Sequence, residues 1–199
     1  MPDRQLADLM LADGIDVLVD LGGHAGSARI TLLGYKPAPV QVSYCGYPDT
    51  TGIEAVDYRI TDALADPAGV DDLYTETLCR LPTSFLCYRP PQPLPELRPP
   101  PSQSGRPVTF GSFNRECKLS REIYDMWSRI LLAVPESPLI LKSFAGGDPE
   151  ARWLQLAEFA SRGVAPERIQ CVGFIADHLN HLGGYRNVDI ALDAYPYHG

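Results

Sequence analysis

The residues best equipped for chemistry fall between Pro107 and Ser120, in the run Pro-Val-Thr-Phe-Gly-Ser-Phe-Asn-Arg-Glu-Cys-Lys-Leu-Ser. Lys118 would hold a mobile cation just ahead of a helix whose first amides, near Ser120, add oriented dipoles, a combination suited to a phosphate. Asn114 and Arg115 share that polar turn. The stretch also reads as a solvated strand-to-helix loop with one ordinary surface lysine. A second group is His178 and His181, three residues apart at the start of a helix, where both rings can face one ligand. Imidazoles at a helix start suit an anion or a nucleobase, and equally fit the half-exposed side of an amphipathic helix. A metal would need a third His, Cys or carboxylate at recognised spacing, and none is supplied, so no metal is expected. His24 stands in Gly22-Gly23-His24-Ala25-Gly26-Ser27. Glycines let a backbone come close to a ligand there, and an imidazole titrating near neutrality can serve as base or donor. A lone loop histidine can also do neither. The loop lacks dinucleotide and Walker spacing, and no Ser/His/Asp or Cys/His arrangement is readable.

These groups need elements to place them. Val108 to Phe113 reads as a buried strand, Asn114 to Lys118 as a turn, and Ser120 as the N-cap of a helix from Arg121 to Ala133. Ile123, Trp127, Ile130 and Leu131 fall on one face of that helix. Strands over 138–143, 168–173 and 188–193 alternate with helices over 150–162 and from Asp177 onward, the last carrying His178, His181 and Tyr185. A Tyr195-Pro196-Tyr197-His198-Gly199 loop closes the chain. Upstream, a helix over 3–12 precedes a strand over 15–21, read as covered on both faces because it is apolar and β-branched. A short helix around Arg29 to Leu33 is stopped by Lys36-Pro37-Ala38-Pro39. Further strands are expected over 40–44, 56–62 and 77–86. Between the halves, Arg89 to Pro107 is proline-rich and reads as a semi-rigid polyproline-like connector, less readily as an SH3-type ligand. The expectation is α/β, with parts of two Rossmann-like lobes divided as 1–88, a linker 89–107, and 108–199.

Composition sets bounds. With 17 basic and 25 acidic residues the net charge is −8, and no Lys/Arg run is present, which argues against nucleic acid and anionic membranes as partners. Five scattered cysteines without a Cys-x-x-Cys pair suggest neither a disulfide framework nor a zinc ribbon, and fit a reducing cytosol. No stretch approaches the roughly 20 apolar residues of a spanning helix. The chain is therefore expected to be cytoplasmic. Because it enters in the middle of an α/β alternation and ends on a strand and loop, it is expected to be a fragment.

Several motifs, taken in order, closely resemble the protein O-GlcNAc transferase family, glycosyltransferase family 41. They are Asp20-Leu21-Gly22-Gly23-His24-Ala25-Gly26-Ser27-Ala28-Arg29, Lys36-Pro37-Ala38-Pro39-Val40-Gln41, Gly46-Tyr47-Pro48-Asp49-Thr50-Thr51-Gly52 and Asp57-Tyr58-Arg59-Ile60-Thr61-Asp62. Phe110-Gly111-Ser112-Phe113-Asn114 with Lys118, then Asp189-Ile190-Ala191-Leu192-Asp193 before Tyr195-Pro196-Tyr197, continue the series. The likeness is greatest to bacterial members, whose catalytic region often follows tetratricopeptide repeats. It implies a GT-B fold and an inverting, metal-independent transfer of N-acetylglucosamine from UDP-GlcNAc to protein Ser/Thr hydroxyls, with the donor as substrate and no cofactor. By the same resemblance, Lys118 holds the UDP diphosphate and stabilises the leaving group, and His181 lies beside the uridine. His178 stands where the family has a lysine, Gly46 and Pro48 match a loop near sugar and acceptor, and Arg115 replaces the usual amide after Phe-Asn. The family's upstream catalytic histidine segment and its Gly-Thr-Thr phosphate turn are not matched, so the isolated chain is expected to be inactive. Two alternatives remain: a non-catalytic binding module that has kept the fold, and a GT-B transferase using another nucleotide sugar.

Overall fold

The structure is a computed structural model that describes residues 1–26 and 28–195. Ser27 of the glycine loop and Pro196, Tyr197, His198 and Gly199 of the last loop lie outside the described residues. The chain falls into two compact units, Met1–Arg89 and Pro90–Gly199.

The first unit begins with helix α1 (Asp3–Ala12), on the bounds that its apolar spacing gave. Strands β1 (Val17–Asp20), β2 (Val40–Tyr44), β3 (Tyr58–Asp62) and β4 (Thr77–Leu81) follow. All pair in parallel, in sequential order β1-β2-β3-β4. The short helix expected around Arg29 to Leu33 is a 3-10 segment, Ile30–Tyr35, ended by the prolines and by Lys36 in the left-handed region. One expectation is overturned. Val17, Val19 and Leu21 of the first strand region are 53%, 44% and 62% exposed, so this strand is not covered on both faces among the described residues. By register, Val17 and Val19 share a face with Tyr58 and Cys79, which are also exposed. The opposite face buries Gln41, Ser43, Arg59 and Thr61. Most of the side chains that this sheet hides are polar, Val42 being the apolar exception.

The second unit carries β5 (Phe110–Ser112), α2 (Arg121–Ala133), β6 (Leu139–Lys142), α3 (Pro149–Ala160), β7 (Ile169–Val172), α4 (His178–Gly183) and β8 (Ile190–Ala191). The sheet is parallel in the order β7-β6-β5-β8, so the first strand of the unit lies between the second and the last. Helix α2 keeps its expected bounds, and the Ser120 hydroxyl accepts the Ile123 amide as its N-cap. Asp148 and Asp177 cap α3 and α4 in the same way. Helix α4 is shorter than expected, and Tyr185 lies beyond it, in the 3-10 turn Gly184–Asn187. Ile123, Trp127, Leu131, Leu139, Leu141, Phe159 and Ile169 form the core.

The proline-rich residues from Pro90 pack within this second unit. The Asp189 carboxylate accepts the Ser102 amide and hydroxyl at 2.9 and 2.7 Å and the Thr109 amide at 2.7 Å, while Arg186 Nε donates to the Glu96 carbonyl at 2.8 Å. These bonds strap the segment to the ends of β5 and β8.

Leu131 is fully buried, so Leu131→Ala should destabilise the second unit by roughly 2 to 5 kcal/mol. Urea denaturation followed by Trp127 fluorescence would show it, and an unchanged midpoint would contradict this core.

Candidate functional site

In a parallel sheet the loops that leave the carboxyl ends of the strands gather on one edge, and the sequence-derived candidates lie on such edges in each unit. In the first unit, the Asp20 carboxylate accepts the amides of Gly22 and Gly23 at 3.2 and 2.7 Å and turns the chain sharply after β1. His24 then sets its ring edge-on to Tyr47, 5.0 Å between centroids. The loop after β2 comes so close that a Cβ on Gly46 would lie 1.7 Å from the Leu21 carbonyl oxygen. Only glycine fits that position. His24, Gly46 and Pro48 are thus brought onto one edge, all three exposed.

What fixes this loop was not anticipated from the sequence. Arg59, 1% exposed, donates from Nη1 to the carbonyls of Tyr47 at 2.8 Å and Asp49 at 3.1 Å, on either side of Pro48. Its Nε lies 3.4 Å from Asp66, which also accepts the hydroxyls of Thr61 and Tyr74. Burial, and then the Asp66 carboxylate, push the Tyr74 phenol up to about 12. On the other flank, buried Glu76 accepts the Thr51 amide at 2.7 Å, the Thr51 hydroxyl, and the Thr50 hydroxyl at 2.7 Å. Burial raises the Glu76 carboxyl, but those donors outweigh it and hold it below its ordinary value. The sequence signal for Arg59 was a charge at a strand position that an apolar period would leave to a hydrophobe.

In the second unit, Asn114 donates from its side chain to Ser112 Oγ at 3.1 Å and to Asp193 Oδ1 at 3.0 Å, tying the exit of β5 to the exit of β8. The turn Glu116–Lys118 follows, and Lys118, half-buried, lies just before the Ser120 cap. Its carbonyl accepts the Ser120 amide. Phe113 packs tilted against Tyr185 at 4.2 Å and meets His181 at 5.8 Å, and His178 lies 6.4 Å from His181. The loops after β6 and β7 add a cationic, aromatic platform that sequence reasoning missed. Phe144 stacks on Phe174 at 4.5 Å, Arg115 lies over Phe144 at 5.7 Å, and Lys142 lies over Phe174 at 5.6 Å. Lys142, Phe174, His178 and His181 line a cavity of about 240 Å³. The positions of Lys142, Phe144 and Phe174, at or just after strand ends, were the available signal.

Burial, then the nearby charges of Lys142 and His178, hold the His181 imidazole below its ordinary value. Its Nδ1 is enclosed with no hydrogen-bond partner. Among the described residues, no three His, Cys, Asp or Glu side chains converge as metal ligands. No helix among them is long and apolar enough to cross a membrane.

Two parallel α/β units of Rossmann type, each collecting polar loops at the carboxyl edge of its sheet, make this a protein of the α/β, GT-B-type class. Residues 3–98 match the family model described as glycosyl transferase family 41. Over 197 residues, 99% of the chain, it is 38% identical to the probable UDP-N-acetylglucosamine–peptide N-acetylglucosaminyltransferase SPINDLY of Petunia hybrida. A probable enzyme of the same description in Arabidopsis thaliana, SEC, is 34% identical over 97% of the chain. Among solved structures, a mutant of the Thermobaculum terrenum O-GlcNAc transferase superposes with a TM-score of 0.92 at 38% identity, covering all of this chain. Nearly the whole chain is thus similar to proteins of the glycosyl transferase family 41 type. It spans about a fifth of the length of these curated relatives, 21% and 20%, and 37% of the solved chain.

Replacing Arg59 with Met leaves Asp66 buried without its cation and should cost roughly 3 to 5 kcal/mol, with amide protection lost over 47–51 in hydrogen exchange. Protection equal to the parent chain would sink that assignment. Glu76 adds a pH dependence. Its folded value is depressed, so its contribution is complete above the ordinary value of 4.5 and is lost as pH falls through the lowered one. In urea titrations below pH 4.5, Glu76→Gln should therefore show a shallower loss of stability than the parent, and parallel curves would contradict this.

Proposed function

We propose that this chain is part of a protein O-linked glycosyltransferase that moves N-acetylglucosamine from UDP-GlcNAc to Ser/Thr hydroxyls with inversion. The observation that carries the reading is the set of cations and imidazoles on the carboxyl edge of the second sheet, in a chain of net charge −8. The names of the relatives support it. In this reading the first unit belongs to the N-lobe, and the second is the nucleotide-binding C-lobe. His181 and His178 receive the base and ribose of UDP, with Asn114 and Arg115 beside the donor. His24, Gly46 and Pro48 belong to the sugar and acceptor side.

Chemically, the acceptor oxygen attacks the anomeric carbon as the bond to the diphosphate breaks, and negative charge grows on the departing phosphate. Lys118 and the amides at the start of α2 offset that charge, a role that needs no metal and no cofactor beyond the donor. A neutral His181, held so by its burial, suits contact with an uncharged base better than an imidazolium would. The five cysteines are all free thiols, which supports a reducing cytoplasm, and the greater length of the relatives leaves room for repeats in the parent protein. A second reading, transfer from another nucleotide sugar, is favoured by Arg115 and His178, since both differ from the family's residues at positions assigned to the donor.

Calorimetric titration of UDP tests the site. Binding should saturate and weaken roughly tenfold or more in Lys118→Ala, as loss of a charge-assisted contact predicts. Binding indifferent to Lys118 would refute its role. A guanine nucleotide that competes better than UDP would favour the second reading.

A further inference from the structure

The strap formed by the proline-rich segment borders a second cationic cavity, open to solvent, of about 550 Å³. Three arginines from separate stretches of chain line it: Arg98 on the strap, Arg106 at the approach to β5, and Arg186 in the turn after α4. Gln103 and Asn187 add amides, and Pro99 to Pro101 form one wall. No carboxylate is among the lining residues. Two lie nearby. Glu96 sits 3.9 Å from Arg98, with both side chains more than 60% exposed, so that pair counts for little. Asp189 acts on Arg106 at longer range, and its oxygens already accept from Ser102 and Thr109. Three arginines lining one cavity of a chain with only 17 basic residues, and net charge −8, concentrate positive charge there that an anion would offset.

The cavity is also rigid. Pro99 to Pro101 have fixed φ, the segment Pro101–Ser104 is a 3-10 turn closed by Gly105 at φ +80°, and Asp189 bolts that turn to β8. The bond from Arg186 Nε to the Glu96 carbonyl orients the Arg186 guanidinium and leaves its two terminal nitrogens outside that bond. The wall is thus in place before a ligand arrives, and the ordering left to do is that of the arginine side chains.

We propose that this cavity binds a phosphate-bearing small molecule, with the guanidiniums of Arg98, Arg106 and Arg186 holding the phosphate oxygens. A phosphate offers the multiple charge and the several oxygens that three planar forks can share, whereas a single carboxylate satisfies one fork. The volume exceeds that of one phosphate, and the proline wall gives an organic body or a second phosphate a surface to rest on. None of the lining residues is among Lys118, His178 and His181. The proposal uses none of the residues assigned to UDP and stands whether or not that assignment does.

The test uses the whole chain carrying Lys118→Ala, which removes the other phosphate-binding cation. Inorganic phosphate and pyrophosphate are titrated at constant ionic strength, with the Nε–H resonances of the arginines followed by NMR. Saturable shifts at Arg98, Arg106 and Arg186 are expected, with affinity falling roughly tenfold or more in Arg106→Gln and in Arg98→Gln. Arg98 is exposed, so its replacement leaves the fold intact and keeps the comparison fair. Tighter pyrophosphate would mark the ligand as a diphosphate, and equal affinities a monophosphate. Shifts matched by sodium chloride, or binding unchanged in both variants, would overturn the proposal.

Discussion

Parallel pairing is the constraint from which the rest of this structure follows. Every strand in both sheets runs the same way as its neighbours, so each must be followed by a crossover, and all the carboxyl ends of a sheet lie on one edge. That edge is where backbone groups are left over and where polar loops are tolerated. In the second unit it collects Asn114, Lys118, Lys142, Phe144, Phe174 and, through α4, the two histidines. The strand order puts β5 between β6 and β8, so the Asn114 bond to Asp193 spans the place where the order reverses. In the first unit the order never reverses, and its edge is instead shaped by the fit of two loops, Gly46 against Leu21 and His24 against Tyr47.

The first unit solves its packing in an unusual way. A buried sheet face ordinarily carries Val, Ile and Leu, but this one hides Gln41, Ser43, Arg59 and Thr61. The buried donors of this layer are matched: Gln41 Nε2 donates to the carbonyls of Leu33 and Ala55, and Arg59 to those of Tyr47 and Asp49, while the Gln41 side-chain oxygen is left without a partner. The polar layer therefore does two jobs, filling the space under the sheet and fixing the loop above its edge. An apolar layer of equal volume would do only the first.

How much of this could be read from the sequence depended on whether a feature was local. Helices α1 and α2 were found on their observed bounds because apolar spacing, an N-cap serine and a closing Asp-Gly are all written within a dozen residues. The same local rule misjudged β1, since being β-branched and apolar says that a face wants cover but not that cover is present. Tyr185 was placed on α4 because nothing in the run His178 to Tyr185 marks the passage from an α to a 3-10 turn. Lys142, Phe144 and Phe174 were passed over because each is unremarked alone; only sheet topology brings them together. Arg59 and Glu76 were missed because their partners include backbone groups of a loop that precedes them by 10 to 25 residues, and backbone groups leave no mark in a sequence.

The bond from Asp189 to Ser102 joins residues 87 apart, and β5, the first strand of the second unit, pairs with β8, the last. During synthesis from the amino end, β5 cannot gain this neighbour until β8 has left the ribosome. The edge of the sheet beside β5 must meanwhile stand open. The first unit has no such debt: its strands pair in the order in which they are made, each new one finding its neighbour already in place. The two halves thus face quite different risks of mispairing while they are still being translated, the second carrying the higher contact order and the longer exposure of an unpaired edge.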